Sequence, residues 1–161
     1  MRWFVWLCLG LDATVIVDGA TKEANMIEPR ILDAKEAAKH NSFFRKVLFT
    51  ADKSQLVLMS LLPGEEIGTE IHNGDQLLYA VKGEGVAVIN GTREPFEKGA
   101  ILCVPAGAPH NVINAGERPL KLFTIYAPPQ HSPGTIHETK ADADAAESHD
   151  VVPVGVAAEL R

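Results

Sequence analysis

The chain has 161 residues, 46% of them hydrophobic and 22% charged. That is enough for one domain with a core of its own and too little for two catalytic domains side by side, and the proportions exclude wholesale disorder. A net charge of −6 and a pI near 5.5 speak against nucleic acid, because no basic patch is available to release counterions; the expected partner is a small molecule or a protein.

Residues 1–25 read as a leader or as an extension upstream of a start at Met26. Arg2 precedes the apolar run 3–11, which resembles a signal segment in charge and length. The run is too short to span a bilayer, so no membrane partner is expected and the expected compartment is the cytoplasm. Residues 26–130 are the expected barrel domain. Within them, 33–40 reads as a helix through its Ala-Lys-Glu-Ala-Ala-Lys composition. Short apolar runs then follow at 43–49, 56–62, 76–81, 86–89, 101–104 and 120–126. Glycine, proline and asparagine punctuate them. Asn90-Gly91 is the strongest hairpin signal, since a type I′ turn needs positive φ at both central positions. Several short strands at this spacing predict an all-β sandwich or barrel.

Two of these runs are apolar on both faces. Val57, Met59 and Leu61 alternate with Leu56, Leu58 and Leu62; Leu120, Leu122 and Tyr126 alternate with Phe123 and Ile125. A strand apolar on both faces is covered on both, so the outer face must meet a second sheet, a terminal segment or another subunit. A homodimer built through such strands is the expectation. Cys103, inside the apolar run 101–104, reads as a small core residue. Two cysteines in all cannot make a disulfide framework. Residues 131–161 hold six acidic and two basic residues, −4 of the chain's −6, and read as an acidic, solvated tail with a helical stretch at 138–148. His131, His137 and His149 share no register and are expected to be solvated with it.

Polar residues with ligand chemistry concentrate in two glycine-framed segments. The first runs from Gly64 to Gly83 and carries Glu70, His72 and Gln76; the second runs from Gly99 to Asn114 and carries Pro105, Gly107 and His110. Residues two apart on a strand share a face, so Glu70 and His72 are expected to project together. Gln76 can open the return strand after Asn73-Gly74, whereas Asp75 turns away from that face. Pro105 and Gly107 shape a tight turn that delivers His110 to the head of the next strand. Tyr79, Lys46 and Arg93 could reach a ligand, on polarity alone.

These segments resemble the two motifs of the cupin superfamily, G-x5-H-x-H-x3-4-E-x6-G and G-x5-P-x-G-x2-H-x3-N, as found in small single-domain cupins of the conserved-barrel type. Gly99, Pro105, Gly107, His110 and Asn114 match the second motif at every fixed position, and Gly64, His72 and Gly83 match the first. Glu70 stands where the first histidine is usual and Gln76 where the glutamate is usual. The resemblance implies a double-stranded β-helix, the jelly-roll barrel, with short N-terminal and C-terminal helical extensions and a divalent metal held by Glu70, His72, Gln76 and His110. Two imidazoles, a carboxylate and an amide oxygen suit Mn²⁺, Fe²⁺ or Zn²⁺; the amide is a weak donor, and Gln76 could instead orient a ligand or water.

Three functions remain open from the sequence. One is a metal-dependent enzyme on a small oxygenated molecule, of isomerase (mannose-6-phosphate isomerase-like) or dioxygenase type, in which Glu70 could also act catalytically as a proton acceptor. The second is a cupin that binds a sugar or organic acid without turnover. The third is an interaction or storage barrel with a vestigial, metal-free pocket. Fold alone does not separate them.

Overall fold

The computed structural model describes residues 30–150. The leader at 1–25, Cys8 and residues 151–161 lie outside the described residues. In chain order the elements are α1 (Ala34–His40), β1 (Arg45–Thr50), β2 (Gln55–Leu61), β3 (Asp75–Lys82), β4 (Glu84–Ile89), β5 (Thr92–Glu97), β6 (Ile101–Val104), β7 (His110–Ile113), β8 (Leu120–Ala127), β9 (Ile136–His137) and α2 (Lys140–Asp150). A six-stranded sheet of order β6-β3-β8-β2-β1-β9 faces a three-stranded sheet of order β5-β4-β7, and every pairing is antiparallel. Short strands paired in this way form the jelly-roll barrel, with helices at its N-terminal and C-terminal ends.

Period-2 alternation sets the core. From β2 come Val57, Met59 and Leu61, from β3 Leu78 and Ala80, from β8 Leu120 and Leu122, all facing Phe96 and Val112 of the smaller sheet. Asn90 and Gly91 take φ of 50° and 81° and join β4 to β5, whose register runs Ile89↔Thr92. This is the turn that the Asn-Gly pair predicts.

The second apolar face of β2 and β8 is met by α1. Asp33 caps this helix by accepting from the Glu36 N–H at 3.0 Å. Ala38 then packs on Leu58 and Val81, with Tyr79 and Phe123 at the margin. Lys121 fixes the far end by donating to Asn41 O and, at 2.8 Å, to Ser60 Oγ. The helix covers only part of the sheet. Leu77, Ile101 and Ile125 stay substantially exposed.

Cys103 is exposed rather than in the core. The ladder to β3 pairs Leu78 with Leu102 and Leu77 with Cys103, so the strand buries Leu102 and Val104 and turns Ile101 and Cys103 outward. The C-terminal segment also differs from a solvated tail. Phe44 N donates to Glu138 O at 3.0 Å and Val47 N to Thr135 O at 2.9 Å; β9 completes the larger sheet, and Ala143 of α2 is buried in the core.

Leu58 at 3% exposure and Leu77 at 40% test the division of the outer face. Leu58→Ala is expected to cost about 2–4 kcal/mol in urea denaturation, and Leu77→Ala under about 1 kcal/mol. Equal losses would mean that α1 does not cover β2 as described.

Candidate metal centre

Local chain geometry brings the polar donors to one end of the barrel. Beyond β2, segment 66–70 runs alongside β7 without becoming a strand; isolated antiparallel bridges join Glu66 to Ile113 and Glu70 to His110. Glu70 and His110 exchange both backbone hydrogen bonds, at 2.9 and 3.0 Å. His72, two residues on, lies with Nε2 3.0 Å from Glu70 Oε2. The chain then turns back into β3 at Gly74, where a Cβ would stand 2.5 Å from Ala127 O. Only glycine permits that approach. Gln76 follows with its side chain inward and buried. Asp75 faces out and accepts from the Ala106 N–H at 3.0 Å, while Gly107 N donates to His72 O at 2.8 Å. The Pro105–Gly107 turn is thereby fastened to the loop ahead of β3, and it delivers His110 to the head of β7.

Three of the four expected ligands meet, and Gln76 is inward and buried on β3. Glu70, His72 and His110 each offer one atom, all within 4.8 Å of one another; donors around one ion at 2.0–2.2 Å lie roughly 3–4 Å apart, so a small contraction suffices. His110 Nδ1 is 2.9 Å from Ala108 O. A carbonyl only accepts, so Nδ1 carries the proton and Nε2 is an open lone pair. Gln76 donates from Nε2 to Thr124 Oγ1 at 3.1 Å, which leaves Oε1 free. Neither His110 Nε2 nor Gln76 Oε1 has a hydrogen-bond partner, although both are buried. An unsatisfied buried polar atom costs about 1–3 kcal/mol, and buried lone pairs of this kind fit the coordination of a cation. Tyr79, Lys46 and Arg93 are elsewhere: Tyr79 stacks on Phe123, Lys46 lies over Phe43, and Arg93 is exposed on β5.

Arg45 is the group that no motif marks. Its side chain is 2% exposed, with Nη2 3.3 Å from Glu70 Oε1 and Nη1 2.8 Å from Glu147 Oε1 of α2. Burial pushes the Glu70 carboxyl up, but the His72 hydrogen bond, the Arg45 guanidinium and the two neighbouring imidazoles outweigh it and hold the group below its usual range, ionised.

His131 and His137 are half-buried rather than fully solvated. Buried Gln55 clamps the backbone at His131: Nε2 donates to His131 O at 2.7 Å, and Oε1 accepts from the N–H of His131 at 3.0 Å and of Gln130 at 3.3 Å. The His131 ring meets Tyr126 edge-on at 5.3 Å, and Tyr126 meets His72 edge-on at 5.4 Å. His137 is the cross-strand partner of Arg45. Among the described residues, the buried side-chain polar atoms without partners are Arg45 Nε, Gln76 Oε1, His110 Nε2, His131 Nε2 and His137 Nδ1. Ligand-like spacing could not have revealed the last two histidines. Their place depends on the β1–β9 ladder and on the Gln55 clamp.

Burial, then Arg45, lower the His131 pKa from 6.5 to about 4, against the pull of Glu70. Between those values the unfolded chain takes up a proton that the folded chain refuses. Stability in EDTA is therefore expected to be full above pH 6.5, to fall as the pH drops toward about 4 and to gain no further loss from this group below that. His131→Phe should flatten that limb in urea midpoints measured across the range. An unchanged slope would assign the acid sensitivity to other groups.

The comparisons with known proteins agree with this geometry. Residues 57–126 match the family model described as a cupin domain. The chain is 48% identical over 128 residues to the Uncharacterized protein YrkC of Bacillus subtilis, covering 74% of this chain and 68% of that protein. It is 31% identical over 68 residues to the Oxalate-binding protein of Thermotoga maritima, covering 42% of this chain and 56% of that one. The crystal structure of BH2720 from Bacillus halodurans superposes with a TM-score of 0.73 at 42% identity, over 75% of this chain and 97% of that one. With the barrel, both glycine-framed segments and relatives at this identity in agreement, the chain belongs to the cupin superfamily.

Proposed function

We propose that the protein holds one divalent transition ion (Mn²⁺, Fe²⁺ or Zn²⁺) through Glu70, His72 and His110, with the Gln76 oxygen as a fourth donor, and that the loaded centre binds a small organic acid or sugar without converting it. The observation that carries this reading is the pair of buried, unpartnered atoms, His110 Nε2 and Gln76 Oε1, beside the Glu70–His72 contact. When bound, such an ion supplies Lewis acidity that draws carboxylate or hydroxyl oxygens. The chain's own part is to orient the imidazoles: Ala108 O fixes the tautomer of His110, and Glu70 fixes the ring of His72.

Binding is favoured over isomerase or dioxygenase chemistry by the state of Glu70. Both of its oxygens are engaged, Oε1 by Arg45 and Oε2 by His72, which suits a fixed ligand better than a catalytic proton acceptor. The likeness to a relative named for oxalate binding supports an acid as the occupant. The uncovered strip at Leu77, Ile101 and Ile125 supports a homodimer joined through the outer face of the larger sheet. The exposed free thiol of Cys103 supports a reducing, cytoplasmic setting.

Metal analysis of protein purified without a histidine tag is expected to find about one equivalent of a transition ion, or to restore it on addition of Mn²⁺, Fe²⁺ or Zn²⁺ with a rise in Tm. His72→Ala and His110→Ala should abolish uptake, and Gln76→Ala should weaken it by about tenfold. Less than about a tenth of an equivalent, with no gain in Tm on adding any of the three ions, would overturn the metal reading. Turnover of an acid or sugar by the loaded protein, or oxygen uptake by the iron form, would replace binding with enzymatic function.

In sedimentation, Leu77→Glu is expected to convert a dimer to a monomer. An unchanged dimer would move the interface off this face.

A further inference from the structure

Three of the five unpartnered buried atoms lie outside the metal-ligating cluster: Arg45 Nε, His131 Nε2 and His137 Nδ1. They come from separate parts of the chain: Arg45 and His137 are paired across a ladder, and His131 is linked to the same end of the barrel through Tyr126 and His72. Arg45 and His137 are direct partners in the β1–β9 ladder, so their side chains leave the same face of the sheet. That face is the interior, where Arg45 is buried against Glu70. His131 is placed by the Gln55 clamp, which uses both ends of a buried side-chain amide to hold one turn of backbone. Both imidazoles lie within electrostatic reach of Arg45 and of one another, and His131 is also within reach of Glu70 and His72.

Folding does not call for nitrogens here. The edge contact of His131 with Tyr126 and the backbone pairing of His137 could be made by phenylalanine. What the three side chains add is hydrogen-bonding capacity turned toward no protein partner. A cation is a poor occupant next to a buried guanidinium, whose Nε–H only donates. A carboxylate is a good one, because its two oxygens accept several N–H bonds at once and gain from the guanidinium charge.

We propose that Arg45, His131 and His137 form an oxyanion-holding position beside the metal-ligating cluster, and that the natural ligand is therefore a small carboxylic acid with a second oxygen donor directed at the ion. This rests on the metal-centre reading above. Without the ion, the carboxylates of Glu70 and Glu147 outnumber the Arg45 charge and would repel an anion; with it, the region is net positive. The C-terminal segment becomes part of the binding site on this account, since it supplies both imidazoles and the carboxylate that steadies Arg45.

The test uses the full chain loaded with Zn²⁺ and two dicarboxylate probes of different length, malonate and succinate. Calorimetric titration is run first with Zn²⁺ and then with each acid. In His131→Phe and His137→Phe, Zn²⁺ affinity should stay at the wild-type value while affinity for the tighter acid falls about tenfold in each. His131→Gln, which restores an N–H near the same place, should recover part of the loss. On the wild-type protein, nitrogen-detected NMR should show the ring resonances of His131 and His137 moving when the acid is added. Failure to take up Zn²⁺ overturns the metal reading and this inference together. Normal Zn²⁺ uptake with acid affinity equal in wild type and variants, or with both ring signals unmoved by saturating acid, overturns this inference alone.

Discussion

A guanidinium inside a barrel is expensive to desolvate, by several kcal/mol even after relaxation, and it persists only where its charge is met by carboxylates with good geometry. Arg45 is in that position, with Glu70 on one side and Glu147 on the other. The two carboxylates come from the segment that flanks β7 and from α2, so one buried charge ties the candidate ligand set to the C-terminal helix. Loss of either acid would leave the guanidinium short of a counterion in an interior that cannot solvate it. The docking of the C-terminal segment is therefore a condition for the polar end of the barrel.

The rest of the interior is arranged around that polar end in rows. On three adjacent strands the inward side chains change character in the same direction. β2 passes from Leu61, Met59 and Val57 to Gln55; β8 passes from Leu120 and Leu122 to Thr124 and Tyr126; β3 passes from Ala80 and Leu78 to Gln76. The ladders align the polar members, pairing Gln55 with Tyr126 and Tyr126 with Gln76. One register row thus carries the clamp for His131, the ring between His131 and His72, and the amide whose buried oxygen has no partner. Below it the barrel is close-packed hydrocarbon that contributes stability by burial. Above it, among the described residues, the buried side-chain polar atoms left without a partner belong to Arg45, Gln76, His110, His131 and His137, in and around the candidate site.

Much of this was legible in the sequence because it depends on local pattern. Period-2 runs broken by glycine gave the strands, Asn90-Gly91 gave the β4–β5 hairpin, and the two glycine-framed segments brought Glu70, His72 and His110 together. The failures have a common cause, which is dependence on which strand pairs with which. Cys103 sits in a run with no polar residue to mark a face, so its orientation follows only from the β3–β6 register. His131 and His137 lie in an acidic segment whose composition reads as solvated. Their burial comes from Gln55 and from the pairing of β9 with β1, contacts between residues far apart in the chain. Arg45 opens a strand like any surface arginine, and nothing near it in sequence announces the two carboxylates that hold it.

The register also gives a physical reason for the two departures from the usual motif. A glutamate at position 76 would lie fully buried next to Thr124 Oγ1, to which Gln76 now donates an N–H. A carboxylate there could only accept from the Thr124 hydroxyl and would bury a full charge. At position 70 the same charge falls beside Arg45 and within reach of two imidazoles, and those groups more than offset the effect of burial on it. Moving the carboxylate from the return strand to the bridge beside β7 therefore keeps one negative donor in the set while placing it where a permanent cation is already buried. The two substitutions and the buried arginine make sense as one arrangement.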